Sequence, residues 1–421
     1  MKRPEVLLPI TFLVAIAVGT GLLLLPGMAS ERVGPLEAFF TATSAVCVTG
    51  LVVVDTGTDF TAAGQAVILG LIQLGGLGIM TFSVLALVLA GRRVRLAQET
   101  AVKETFTTVG SMSLGRLLLT IVAVTLLLEA VGFLALDHAL DDTWSAAFHS
   151  VSAFCNAGFS LSSHSLQGQG AGVTFPILFL LVLGGLGFTT LLEVGRNLWW
   201  RRDKRRRFTL HARLVFLTSI LLWGGGTLLL TATEGGDIRN AVFMSASART
   251  AGFETTSVGG LSGASLLILI PLMFVGASPG STGGGIKTTT LAILVMVARA
   301  TLRGRDRIVV SEREIPRGLV RRMAAVVFCS AVVVFVAIFL LHVFEGGRAD
   351  KVLPYTFEAV SAFCTVGLST GITAGLTGAS KVLLCVVMFV GRVGSLSFFI
   401  LLVRDAPPSH VRYPEERVHI G

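Results

Sequence analysis

Ser152-Ala153-Phe154-Cys155-Asn156-Ala157-Gly158-Phe159 decides the fold, because the chain repeats it three more times. The other copies read Ser44-Ala45-Val46-Cys47-Val48-Thr49-Gly50-Leu51, Ser247-Ala248-Arg249-Thr250-Ala251-Gly252-Phe253 and Ser361-Ala362-Phe363-Cys364-Thr365-Val366-Gly367-Leu368. Three copies place Cys three residues before Gly. The third carries Arg249 there and is one residue shorter from Ser to Gly. A single S-A-x-C-x-x-G marks nothing more than close helix packing. Four copies recurring along the whole chain mark an internal repeat.

Outward from these segments the chain is strongly apolar. Of 421 residues, 53% are hydrophobic and 14% charged, against about 25% charged in a soluble domain. Apolar spans cover 7–26, 64–90, 114–136, 173–199, 214–233, 264–298, 323–344 and 381–403, and a membrane helix needs about 20 residues. Met1-Lys2-Arg3 before Leu7–Leu25, with Gly27-Met28-Ala29 beyond, has the outline of a secretory leader. Its apolar stretch reaches spanning length, however, and the repeat needs it as a first helix. An all-α polytopic membrane protein of eight spans is expected.

The net charge of +9 sorts by loop. The N-terminus, 91–116, 196–213, 299–322 and the tail from 404 hold 26 of the 34 Lys and Arg. The alternate loops are acidic, with Asp55, Asp59, Asp137, Glu234 and Glu254 among them. The positive-inside rule puts both termini and the basic loops in the cytoplasm. Nucleic acid is thereby excluded as a partner. Arg201–Arg207 is a topology anchor facing anionic membrane lipid, or a docking face for a cytoplasmic partner. The five cysteines form no CxxC or disulfide framework.

The four repeated segments lie on the outer side, each between two spans and each after a short amphipathic stretch (Pro35–Val46, Trp144–Phe154 and Pro354–Phe363 for three of them). Each unit reads helix, half-helix, glycine loop, helix. The units divide as 1–91, 92–200, 201–303 and 304–403, with a tail at 404–421. Irregular backbone at membrane depth survives only inside protein or around a watery cavity. Four such loops can surround one axis and aim backbone carbonyls at a dehydrated cation. The residues placed there are Cys47, Val48, Thr49, Gly50; Cys155, Asn156, Ala157, Gly158; Arg249, Thr250, Ala251, Gly252; and Cys364, Thr365, Val366, Gly367.

Two further segments stand out. The span after the third loop is interrupted by Gly276-Ala277-Ser278-Pro279-Gly280-Ser281-Thr282-Gly283-Gly284-Gly285-Ile286-Lys287, too rich in Gly and Pro to stay helical. Ile286 between Gly285 and Lys287 breaks the phosphate-loop pattern. A kink for packing and a flexible intramembrane gate both fit, and the gate is preferred. In the last span Gly391-Arg392-Val393-Gly394 sets a cation at membrane depth, at a cost of about 2.5–3.5 kcal/mol. Arg392 either satisfies carbonyls of the broken helix or forms an electrostatic barrier below the loops; the two are compatible. Glu129 and Glu193 are the remaining membrane-level acids. The seven His are dispersed without HxxxH or HExxH, so a membrane enzyme is not expected.

With these motifs in hand, the chain resembles the Trk/Ktr/HKT superfamily of potassium transporters over essentially its whole length, and within it the KtrB-type membrane subunit. Trk-type subunits carry two extra helices before the first pore unit, whereas here only one span precedes Gly50. The resemblance implies a monomer with pseudo-four-fold symmetry that pairs as a homodimer, one pore per subunit, and a cytoplasmic RCK-type nucleotide-binding regulatory subunit (KtrA-type). It also implies a selectivity filter of four loops and potassium as cargo, since all four filter positions are Gly where sodium-selective plant relatives have Ser in the first. A sodium-coupled symporter or a less selective monovalent cation channel is the alternative. No covalent cofactor is implied.

Overall fold

A computed structural model describes residues 4–30, 33–78, 114–199, 208–305, 309–310 and 313–394. The basic stretches 91–113 and 201–207, the tail 404–421 and the far ends of the spans expected at 64–90 and 381–403 lie outside the described residues.

Within the described residues the molecule is helical apart from a two-residue ribbon, Val309–Val310 with Arg313–Glu314. Unit one contributes α1 (Pro4–Leu23), α2 (Pro35–Cys47) and α3 (Ala62–Gly76); unit two α4 (Leu114–Asp137), α5 (Thr143–Phe154), α6 (Ala171–Leu186) and α7 (Phe188–Trp199). Unit three contributes α8 (Leu210–Thr233), α9 (Ile238–Ser247), α10 (Gly263–Phe274) and α11 (Thr288–Leu302); unit four α12 (Arg317–Phe344), α13 (Val352–Phe363) and α14 (Gly378–Val393). Three second helices start on a hydroxyl cap, with Thr61, Ser262 and Thr377 each accepting from an N–H three residues on.

The helices α4, α8 and α12 are long and apolar enough to cross a bilayer. They turn large apolar side chains outward, as Leu134, Leu228 and Phe335 show, the reverse of a soluble protein. Among the described residues the other apolar helices are shorter, at Pro9–Leu23, Ala62–Gly76, Gly263–Phe274 and Thr288–Leu302. The reason lies in a second internal repeat: Leu74-Gly75-Gly76-Leu77-Gly78, Leu183-Gly184-Gly185-Leu186-Gly187, Val275-Gly276-Ala277-Ser278-Pro279 and Val390-Gly391-Arg392-Val393-Gly394. At this motif every second helix stops, with Gly78, Gly187 and Gly394 at φ of +79°, +87° and +95° and α10 ending at Phe274.

The apolar span expected at 173–199 is present as two helices, α6 and α7, that meet at 103°. Gly187 turns the chain, and the 275–287 segment packs into the corner, where Phe188 N–H donates to the Gly280 carbonyl at 3.0 Å. The interruption expected in 264–298 is present, as twelve- and fifteen-residue helices flanking 275–287.

The four units close on one another in order. The second helix of each packs on the short loop-preceding helix of the next: α3 on α5, α6 on α9, α10 on α13, and α14 back on α2.

Candidate functional site

The short helices α2, α5, α9 and α13 converge with their C-terminal ends on the four glycine loops. Each loop leaves its helix in the same way. Val48, Asn156, Thr250 and Thr365 take φ of 57°, 57°, 73° and 51°. Such values are uncommon outside Gly, and for β-branched residues they are genuine outliers. Gly50, Gly158, Gly252 and Gly367 follow at 91°, 70°, 77° and 94°. Strain of about 1–3 kcal/mol per residue persists only where surroundings impose it, and here it recurs at four equivalent places.

The surroundings are the other loops. A Cβ on Gly50 would meet Gly158 Cα at 3.0 Å, one on Gly158 would meet Gly252 Cα at 2.9 Å, one on Gly252 Gly367 Cα at 3.2 Å, and one on Gly367 Gly50 Cα at 3.1 Å. The ring is closed. The carbonyl oxygens of Ala157, Ala251, Val366 and Thr49 abut Gly50, Gly158, Gly252 and Gly367 in the same order. Four backbone oxygens thus meet at one level, and only Gly fits between them.

A common bracket holds each loop: Thr49, Ala157, Ala251 and Val366 N–H donate to the carbonyl of the motif serine at 2.8–2.9 Å. The serine hydroxyls then divide. Ser44 and Ser361 accept from the Gly50 and Gly367 N–H at 3.0 and 3.1 Å. Ser152 and Ser247 instead donate to the Phe159 and Phe253 carbonyls at 2.7 and 2.5 Å. The Ser-Ala start common to all four copies does not distinguish the two serine roles.

Of the sixteen residues expected at the ring, all but Gly158 and Arg249, which are half-buried, are fully or almost fully buried. The Arg249 side chain turns away from the ring and donates to the Ser219 carbonyl and hydroxyl on α8, at 3.4 and 3.2 Å. A guanidinium is too long to share a level with four glycines, so only the backbone of position 249 belongs to the loop. The cysteines also face backwards: Cys155 Sγ donates to Gln73 Oε1 at 3.4 Å, and Cys364 Sγ lies 4.0 Å from the Phe274 carbonyl. All five are free thiols.

On one side of the ring the four glycines floor a cavity of about 300 Å³ whose wall includes Asp55, Glu254 and Ser369. Glu254 ties three loop exits together. Its N–H donates to Ser165 Oγ at 3.1 Å, its carbonyl accepts from Leu166 N–H at 2.9 Å, and its carboxylate accepts from Ser369 N–H at 3.5 Å. Burial pushes its carboxyl up to about 7; the Ser369 and Val258 N–H groups pull against this and nearby Glu358 adds to it.

On the opposite side lies the 275–287 segment. A Cβ on Gly283 or Gly284 would run into the Thr250 or Thr365 hydroxyl, so these glycines press directly beneath loops three and four. Thr282 Oγ1 donates to the Phe154 and Gly184 carbonyls, each at 3.3 Å. Lys287 Nζ donates back to the Gly283 and Gly284 carbonyls at 2.8 and 3.3 Å. Arg392 donates to the carbonyls of Thr282 and Gly75, joining the segment to the end of α3. In the second repeat Arg392 stands where units one, two and three have Gly76, Gly185 and Ala277. Glu193 takes no part: its carboxylate accepts from Thr209 N–H and Oγ1 at 2.6 and 2.8 Å, at the start of α8.

Comparison with known proteins adds to this geometry. A family model described as TrkH, cation transport protein, matches residues 5–410. The Ktr system potassium uptake protein B of Vibrio alginolyticus is 38% identical, over 100% of this chain and 95% of that protein. Its Bacillus subtilis counterpart of the same name is 36% identical, over 99% and 97%. The potassium/sodium uptake protein NtpJ of Enterococcus hirae is 33% identical, over 99% and 97%. In fold, the chain matches the crystal structure of the potassium transporter TrkH from Vibrio parahaemolyticus with a TM-score of 0.76, over 96% of this chain and 86% of that one at 20% identity.

Proposed function

The chain belongs to the TrkH family of cation transport proteins, and from that premise we propose that it takes up potassium across the cytoplasmic membrane through a filter made by its four glycine loops. It is a membrane transporter and not an enzyme. The observation that carries the reading is the closed ring of Gly50, Gly158, Gly252 and Gly367 with one carbonyl oxygen from each loop beside it. Backbone oxygens in such a ring replace the water that a potassium ion sheds. The four short helices end at the ring, and their partially negative C-termini favour a cation there. A membrane potential supplies about 2.3 kcal/mol per ion at 100 mV, so uptake needs no ATP.

The finer reading follows the units 1–91, 92–200, 201–303 and 304–403 as four pore units, eight spans in pseudo-four-fold array, both termini cytoplasmic. The cyclic packing of second helices onto the next short helix supports it. Residues 276–285 with Lys287 and Arg392 form the gate. Its support is position: Gly283 and Gly284 press under Thr250 and Thr365, and Arg392 holds Thr282. Arg392 then serves both as the clamp of the broken segment and as a positive barrier. The protein works as a homodimer with a cytoplasmic RCK-type (KtrA-type) subunit docked on the basic loops. That part rests on the family resemblance and on the word system in two relatives' names.

A second reading, sodium-coupled or sodium-dependent uptake, is favoured by the potassium/sodium name of the 33% identical relative. One experiment addresses both: potassium, rubidium and sodium flux into proteoliposomes, with and without sodium, for wild type and Gly50→Ser. Selective potassium flux in wild type, degraded in Gly50→Ser, is expected. Absence of potassium selectivity in wild type overturns the filter.

A further inference from the structure

Behind the second loop, three polar side chains from three helical elements meet inside an apolar wall. Gln73 comes from α3, Glu129 from α4, and Cys155 from the end of α5. Gln73 Nε2 donates to Glu129 Oε2 at 3.1 Å. The Cys155 thiol donates to Gln73 Oε1 at 3.4 Å and faces Glu129 Oε1 at 3.8 Å. The Ser150 hydroxyl, one turn back on α5, donates to the Glu129 carbonyl at 2.6 Å. Glu129 is only 6% exposed, and among the described residues no Lys or Arg lies within ion-pair distance of it.

An acidic residue at membrane depth costs several kcal/mol unless it does something. Among the described residues nothing pairs its charge, and its oxygens meet one amide and one thiol. The thiol belongs to the residue that immediately precedes left-handed Asn156, so what holds Cys155 holds the start of the strained turn. Loop four lacks an equivalent: its cysteine reaches only a backbone carbonyl, at 4.0 Å.

We propose that Glu129 is a positioning residue for ion selection: through Gln73 and Cys155 it fixes the backbone of the second loop, and with it the oxygen that this loop presents at the ring. The inference rests on the filter reading above. Removing the carboxyl leaves the Gln73 Nε2 donor unpartnered in an apolar wall and the Cys155 thiol with the Gln73 oxygen alone, at about 1–3 kcal/mol, a penalty relieved by letting Gln73, Cys155 and the turn after it shift.

The test compares potassium and sodium flux of wild type, Glu129→Leu, Glu129→Gln and Cys155→Ala in proteoliposomes, at equal amounts of monodisperse protein. Glu129→Leu is expected to lower the potassium-to-sodium ratio about ten-fold, the effect of about 1.4 kcal/mol. Glu129→Gln, whose amide rebuilds the network by flipping with Gln73, stays within about two-fold of wild type. Wild-type selectivity in Glu129→Leu overturns the inference, and so does equal loss in Leu and Gln variants. If the Leu variant does not fold, Cys155→Ala decides, since it cuts only the final link; its selectivity must fall. An unselective wild type would instead sink the filter reading itself.

Discussion

Loops one and four, set against loops two and three, show one backbone shape reached by two means. At the ring they are alike, with the same left-handed pair of residues and the same carbonyl beside the next loop's glycine. One step away they part. In loops one and four the motif serine accepts from the ring glycine itself, and the next residue is Leu51 or Leu368. In loops two and three it donates past the glycine, to Phe159 and Phe253. Loops two and three also have polar anchors behind them, Glu129 with Gln73 in one and Arg249 with Ser219 in the other. Shape at the ring is held in common while its support differs, as expected if selection acts on where the carbonyls stand.

The hardest test of that equality is the ring. Gly367→Ala places a Cβ against the Thr49 carbonyl at a φ of 94°. Uptake is expected to fall about a hundred-fold, the effect of about 3 kcal/mol of strain. The same loss is expected for Gly158→Ala, read as rubidium uptake per unit of protein in the membrane. A mild effect in one pair of loops would break the equality. Gly70→Ala, with nothing within 4 Å, is the control.

A smaller effect addresses the anchors. Arg249→Cys gives loop three the residue of the other three loops and removes both bonds to Ser219. About five-fold lower uptake is expected, roughly the loss of one net hydrogen bond. Wild-type flux would show that loop three stands without its charge.

The smallest effect concerns the mouth, where Glu254 joins the exits of loops two, three and four. A carboxyl with its pKa up at about 7 is charged above that pH and neutral below it. The negative charge that draws cations into the mouth is therefore lost as external pH falls through about 7. Uptake at limiting potassium should drop about two-fold between about pH 8 and about pH 6. In Glu254→Gln the profile should be flat at the lower level; an unchanged slope would assign the titration to another group.

How far could this be read from residues alone? The ring could, because Ser-Ala-x-Cys-x-x-Gly occurs three times with a shorter variant at Ser247–Gly252, and irregular backbone at membrane depth needs protein or a watery cavity around it. The break at 275–287 could as well, since Pro279 and the Gly283–Gly285 run forbid a helix. The bend at Gly187 was missed although its signal was present: Leu-Gly-Gly-Leu-Gly occurs twice, and set beside Val390–Gly394 it is a repeat as regular as the first. Aligning it also places Arg392 among Gly76, Gly185 and Ala277. The bonds from the Arg249 side chain to Ser219 were not legible, because a motif position says where a backbone runs and not which way its side chain turns. The meeting of Gln73, Glu129 and Cys155 has no sequence signature, since no periodicity links α3, α4 and the end of α5.

The ring closes late in another sense. Its seam joins the last unit to the first, where α14 packs on α2 and Arg392 reaches the Gly75 carbonyl 317 residues earlier. Contacts of such sequence separation form slowly, after the intervening chain has been made. During synthesis, then, three loops stand in the membrane with their strained turns unsupported on one side until the fourth arrives. A nascent chain halted before Gly367 would have a glycine at position 50 with no neighbour to press on it and a passage open along one flank. On the filter reading, selection of ions is thus a property the protein acquires all at once, with its last unit.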